Sequence, residues 1–171
     1  MVKNILISGR PGIGKTTLIR EVADSLKDRA GGFYTGEIRG QGARTGFSLT
    51  TLDGKSGVLA TVGGSGPHRV GKYTVHLTDL ENIGVPAVLE AVESGRVVVI
   101  DEIARMELFS DRFKQAVTTA LDSDSSVVAT IQQRRDPFLD SVRSRQDVEL
   151  IELTTANREF LAWDIMSMLG A

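Results

Sequence analysis

The sequence predicts an α/β fold: a mostly parallel sheet with helices on both faces and an antiparallel hairpin inserted at about residues 40–75. Three observations predict it. Short apolar runs alternate with segments of helical periodicity, the pattern of a parallel sheet covered on both sides. The runs VVVID (97–101) and VVATI (127–131) are continuously apolar, as strands buried on both faces are. Finally, alternating runs at 46–50 and 58–62 flank Asp53-Gly54-Lys55, and Asp-Gly in that setting is a strong short-range hairpin cue.

Taken in order, residues 3–8 (KNILIS) read as a short buried strand ending at Gly9. From Lys15, apolar residues recur at Leu18, Ile19, Val22, Ala23 and Leu26, which is helical spacing. This helix is expected to stop near Ala30, with Gly31-Gly32 as its C-cap signal. Residues 32–39 form a second strand. The inserted hairpin follows, with Gly63 to Pro67 as a mobile loop. Residues 79–94 are helical in composition, with a break near Gly84-Val85-Pro86. After the strand at 97–101, Ser110 caps a helix carrying Phe113, Ala116, Val117, Ala120 and Leu121. After the strand at 127–131, Asp136-Pro137 is a cap followed by proline at the first helical position, with Phe138 and Val142 facing inward. Residues 148–153 (VELIEL) alternate, as an edge strand does. Thr154 or Thr155 opens the last helix, whose apolar stripe is Phe160, Leu161, Ile165, Met168 and Leu169.

Composition narrows the function. A chain of 171 residues suits one domain, 1–171, and 41% hydrophobic residues argue against wholesale disorder. A formal charge of −2 offers no bulk basic field, so general nucleic-acid binding is not expected. There are no cysteines, which excludes a disulfide framework, a thiolate metal site and a cysteine nucleophile. No apolar run approaches the roughly 18 residues that span a bilayer, and the N-terminal run lacks the features of a signal peptide. A soluble cytoplasmic protein, monomeric and without a membrane partner, is the expectation. Of 18 glycines, fifteen fall at or before Gly71.

Part of that glycine excess carries chemistry. Gly9-Arg10-Pro11-Gly12-Ile13-Gly14-Lys15-Thr16 matches G-x-x-x-x-G-K-[ST] in full, between a strand and an amphipathic helix. Backbone N–H groups must wrap a phosphate closely here, so side chains are unwelcome at Gly9, Gly12 and Gly14. The helix N-terminus adds unpaired donors and the positive end of its dipole. Residues Gly9 to Thr17 are therefore the candidate nucleotide site. Lys15 is placed to meet the β and γ phosphates, and the Thr16 hydroxyl to ligate Mg²⁺. The expected architecture becomes the three-layer P-loop NTPase fold.

Phosphate chemistry also needs a carboxylate for the metal. Asp101 ends a central strand, at the edge where open α/β sheets bind ligands, and Glu102 follows it. The two carboxylates can divide the work: Asp101 on the Mg²⁺ shell and Glu102 on the attacking water. Both also fit helix-capping charge. Ala104 stands where a switch GTPase has glycine, and no Asn-Lys-x-Asp base-reading motif occurs.

On these residues the chain resembles the THEP1-type nucleoside-triphosphatases. The match runs through residues 7–18 and 32–39 (GFYTGEIR), and through Arg69-Val70-Gly71-Lys72-Tyr73. It continues through 99–110 (VIDEIARMELFS), 128–131 and 152–158 (ELTTANR). It departs at Ala104-Arg105, where the family usually has Gly-Lys, and at Gln132, where the family often has proline. The resemblance implies Mg²⁺-dependent hydrolysis of ATP, GTP and other nucleoside triphosphates to diphosphates, with broad base tolerance. It implies the same roles for Lys15, Thr16, Asp101 and Glu102.

Further candidates carry two readings each. Arg105, Arg134 and Arg135 suit the charge that develops on a transferring phosphoryl group, or are solvated surface residues. Thr130 senses the γ-phosphate, or is only a β-branched strand residue. Asn157 and Arg158, in the first turn of the last helix, frame the base or cap that helix. Two other functions remain open on the sequence: a phosphotransferase with a nucleotide, nucleoside or RNA acceptor, and a nucleotide-gated binding module presenting the glycine-rich hairpin.

Overall fold

Successive strand residues point to opposite faces, and the central strands are apolar on both. The computed structural model describes residues 3–171. Strand β1 (Asn4–Ser8) leads into helix α1 (Lys15–Leu26), then β2 (Ala30–Gly40), β3 (Ala43–Thr51), β4 (Ser56–Val62), β5 (Arg69–Val70) and β6 (Tyr73–Val75). A short helix α2 (Leu77–Asp79) runs through a wide turn into α3 (Val85–Glu93). The chain continues through β7 (Val97–Ile103), α4 (Asp111–Asp122), β8 (Val127–Ile131), α5 (Pro137–Arg143), β9 (Val148–Glu152) and α6 (Leu161–Met168).

Among the described residues nine strands join one sheet, ordered β5-β6-β4-β3-β2-β7-β8-β1-β9. The five strands β2, β7, β8, β1 and β9 are parallel, so their C-terminal ends share one edge. Their alternation builds two cores. Ile5, Ile7, Val99 and Val128 pack with Leu18, Ile19 and Val22 of α1 and Leu161 and Ile165 of α6. Leu6, Val98, Ile100 and Ala129 pack with Val88 of α3, Phe113 and Val117 of α4, and Leu139 and Val142 of α5. Each such aliphatic side chain contributes about 1.5–3 kcal/mol when fully buried. Helices thus cover both faces, as the sequence predicts.

Four elements differ from the sequence reading. Helix α1 ends at Leu26 and a tight turn follows, so Gly31-Gly32 is not its cap. Both glycines lie in β2, where space is the constraint. A Cβ on Gly32 would stand 2.0 Å from the Val99 carbonyl oxygen of β7, and its φ of +118° already disfavours a side chain.

The insertion is larger than one hairpin. Strand β2 turns through Gln41-Gly42 into β3, and β4, β6 and β5 add antiparallel neighbours. It is also anchored: Leu49, Leu59, Ala60, Tyr73 and Val75 belong to the main core. The loop after β4 is tied down too, because the Thr74 hydroxyl donates to the Gly63 carbonyl and Arg69 donates to that of Gly64.

In α5 Val142 is buried and Phe138 packs half-buried against the core, as the sequence predicts, but the most buried residue is Leu139, which the sequence reading leaves out. The last helix begins at Leu161 instead of Thr154 or Thr155, and Phe160 and Met168 are exposed instead of inward. The remaining caps agree with the sequence. The Ser110 hydroxyl accepts from Phe113 N at 3.1 Å, and the Asp136 carboxylate accepts from Phe138 N at 2.8 Å.

Candidate active site

Strand order determines which loops meet. β1 lies between β8 and β9, with β7 one strand further, so residues 9–14, 104–106, 132–136 and 153–160 all leave the same edge of the sheet. The chain leaves β1 toward β2 on one side, while β9 closes the other, a topological switch point where such sheets bind ligands.

The phosphate loop has the backbone its sequence demands. Gly9, Gly12 and Gly14 have φ of +156°, +79° and +113°. A Cβ on Gly9 would stand 3.0 Å from both Ile13 Cγ2 and the Leu153 carbonyl oxygen, so the loop is pressed against the strand-end segment after β9. Ile13 is buried beneath it, while Arg10, Pro11, Gly12 and Thr17 face outward. Lys15 folds back over the loop, where Nζ donates to the carbonyls of Gly9 at 2.7 Å and Arg10 at 3.2 Å. Its ammonium is thus held across the hollow that the loop amides surround.

Asp101 is 2% exposed. Its Oδ1 accepts from the Thr130 hydroxyl of β8 at 2.7 Å, and its Oδ2 is buried without a partner. Burial raises the carboxyl above its ordinary value, while the hydroxyls of Thr130 and Thr16, the Thr35 amide and the charge of Arg20 oppose that rise. The two candidate metal ligands, Thr16 and Asp101, are therefore brought together from α1 and β7.

The register explains how the neighbouring carboxylate is aimed. Ile100 pairs with Ala129 and Ile103 with Ile131, so Asp101 and Glu102 together oppose Thr130 alone. This is a β-bulge, which re-aims side chains locally. The Asp101–Glu102 peptide bond is cis. Glu102 is half-buried. Its carboxyl is raised by burial and by the Asp101 charge, and lowered by Lys15.

A metal fit rests on the orphaned Asp101 oxygen. A buried carboxylate oxygen with no donor suits a hard cation, and Mg²⁺ needs only one or two carboxylates beside phosphate and water. Among the described residues no cluster of three or more acidic or histidine side chains forms a fuller metal cage.

The remaining candidates sort by geometry. Arg105 and Arg134 are exposed on loops at this edge, as is Arg135. Arg105 N donates to Gln132 Oε1 at 3.0 Å, which ties the turn after β7 to the end of β8. Asn157 and Arg158 precede α6 in a turn segment instead of lying in its first helical turn. Asn157 uses both ends of its amide on that segment: Oδ1 accepts from Thr154 N at 2.8 Å, and Nδ2 donates to the Glu152 carbonyl at 2.9 Å. Arg158 is exposed.

Thr130, a candidate on the sequence for sensing the γ-phosphate, is turned onto Asp101, which the pairing of β7 with β8 brings about. Two other residues have no signal in the sequence. Arg20 stacks over the Tyr34 ring at 4.5 Å near Asp101. Glu107 is 3% exposed with a partnerless Oε2, and burial and the charges of Glu102 and Asp101 push its carboxyl well up. A separate cleft of about 450 Å³ lies toward the other end of α1, lined by Asp24, Lys27, Gly31, Tyr34, Asp53 and Arg96 among others, and by no residue of the phosphate loop.

A complete phosphate loop opposite a strand-end Asp-Glu pair, on a parallel sheet of this order, defines a P-loop NTPase. Comparison with known proteins specifies it further. The sequence profile of the NTPase family matches residues 4–166. The chain is 48% identical to a protein named nucleoside-triphosphatase THEP1 from Thermotoga sp. (strain RQ2), over 96% of this chain and 94% of the relative. It is 39% identical to a human protein named cancer-related nucleoside-triphosphatase, over 98% and 96% of the two chains. The crystal structure of THEP1 from the hyperthermophile Aquifex aeolicus superposes with a TM-score of 0.92 at 36% identity, covering 98% of this chain and 99% of that one. This chain belongs to the NTPase family.

Proposed function

We propose that this protein hydrolyses nucleoside triphosphates to diphosphates and phosphate, with Mg²⁺ and with tolerance for different bases. The observation that carries the reading is the meeting of Lys15, Thr16, Asp101 and Glu102 at one strand edge, with one Asp101 oxygen left unpartnered. The relatives' names point the same way.

The loop amides of residues 9–16 hold the phosphates. Lys15 exchanges the Gly9 and Arg10 carbonyls for β and γ phosphate oxygens. Thr16 and Asp101 would hold Mg²⁺, which would supply positive charge to neutralise the phosphate oxygens. Thr130 fixes the Asp101 carboxylate through its hydroxyl. Glu102 accepts a proton from the attacking water as the new bond to the γ-phosphorus forms and the bond to the leaving diphosphate oxygen breaks. Its raised carboxyl suits that work, since a base holds a proton best when its own value is not too low. Arg105 and Arg134, exposed on loops at the same edge, would meet the developing charge. Asn157 braces the segment beside the phosphate loop and Arg158 stands at its surface.

We read the protein as a cytoplasmic monomer with no nucleic-acid partner in hydrolysis. Among the described residues no helix is long and apolar enough to cross a membrane.

Glu102→Gln tests the assignment. Nucleotide binding is retained and turnover falls about 10²–10⁴-fold. Unchanged turnover removes Glu102 from the chemistry.

A further inference from the structure

The phosphate loop accounts for the triphosphate but not for the base, and the sequence has no base-reading motif. The segment between β9 and α6 borders that loop. Leu153 N donates to the Ser8 carbonyl at 2.8 Å, and the Leu153 carbonyl oxygen stands against Gly9. The Asn157 amide stiffens the segment at both ends. Leu161 is buried in one cluster with Ile13 of the phosphate loop and with Leu153. Phe160 is adjacent to it, held by a bond from its N–H to the Asn157 carbonyl at 3.1 Å, yet is 65% exposed. Trp163, three residues further on, is 74% exposed.

A lone exposed apolar side chain is ordinary. Here, however, three of the five large exposed hydrophobics among the described residues lie close together in the chain, Phe160 at the end of this segment and Trp163 and Met168 in α6. Of these, Phe160 is the ring on the segment between β9 and α6, whose backbone is bonded through Leu153 to Ser8, directly before the phosphate loop.

We propose that Phe160 is the platform on which the base of the bound nucleotide stacks. The proposal rests on the nucleotide-site reading above and extends it to specificity. Every purine and pyrimidine has a π-face, so stacking on a phenyl ring holds each of them without reading its edge. That is the recognition expected of a site that accepts many nucleoside triphosphates. The exposed face of Phe160 becomes covered on binding, and the Asn157 brace limits the ordering that binding requires.

The test uses products, which do not turn over. Titration calorimetry compares ADP, GDP and CDP with pyrophosphate, each with Mg²⁺, on the wild type, Phe160→Ala, Phe160→Tyr and Trp163→Ala. In Phe160→Ala all three nucleotides are expected to weaken by about 10-fold, within the range that loss of one stacked base produces, while pyrophosphate is unchanged. Phe160→Tyr restores wild-type affinity. Nucleotide affinities unaffected by Phe160→Ala overturn the proposal. So does an equal loss for pyrophosphate, which means the loop moved, or a loss seen in Trp163→Ala instead. Failure of pyrophosphate to bind the wild type overturns the phosphate-loop reading itself and takes the proposal with it.

Discussion

Thr130→Val removes one hydrogen bond and little else. Thr130 is fully buried in β8, and its hydroxyl donates to Asp101 Oδ1 at 2.7 Å. Valine matches threonine in volume, so no cavity opens. A hydrogen bond to a charged group contributes about 1.5–3 kcal/mol. Losing the bond therefore raises the Asp101 carboxyl further above where burial already holds it. It also frees the carboxylate to turn away from the metal. Removal of such outer partners typically weakens a metal site about 10–100-fold. Initial rates of phosphate release, with Mg²⁺ in excess of ATP, are expected to show a KM for MgATP raised by about that factor. Metal-free ATP in the presence of EDTA is expected to bind as to the wild type, because Asp101 takes no part in the loop's hold on phosphate. An unchanged KM for MgATP, or an equal loss for metal-free ATP, refutes the reasoning.

Three further outcomes are expected. Gly32→Ala drives a Cβ toward the Val99 carbonyl and separates β2 from β7; a cost of about 3 kcal/mol lowers the Tm by roughly 6–12 °C in thermal melts. Glu107 is raised well above 4.5 in the fold, so its contribution to stability is complete below about that pH and is lost as pH rises toward the raised value. Glu107→Gln has no such proton to lose, and its Tm relative to wild type should climb as pH rises above 4.5. Glu102 must be ionised to accept a proton, so kcat falls on the acid side through its value; a pH profile should place that limb above the ordinary 4.5, and Glu102→Gln should abolish it.

The sequence reveals more of the scaffold than of its adjustments. The phosphate loop is legible because its spacing is dictated by a phosphate, and the buried strands because they are apolar on both faces. Glycine is ambiguous by nature. Gly31-Gly32 reads as a helix cap, but Gly32 is required by a carbonyl three ångströms or less from where its side chain would lie, and that carbonyl belongs to Val99, far along the chain. The antiparallel extension reads as a loose hairpin because its short strands β5 and β6 hold few residues, while Leu49 and Leu59 reach the core only after β3 pairs with β2. At the site, Asp101 and Glu102 are visible as a pair at a strand end. The bulge that sets them both opposite Thr130 is a matter of register, which one strand's sequence does not contain. The late start of α6 has a local cause: Asn157 closes a turn on Thr154 and Glu152 that competes with helix.

The central claim is that water, and not another substrate, receives the γ-phosphoryl group. The purified protein, incubated with Mg²⁺ and γ-labelled ATP in the presence of a panel of nucleosides, nucleotides and RNAs, tests it directly. The account predicts that label appears only as free phosphate, at a rate the acceptors do not change and that Glu102→Gln suppresses. Label transferred to any acceptor, at a rate comparable to phosphate release, would contradict it.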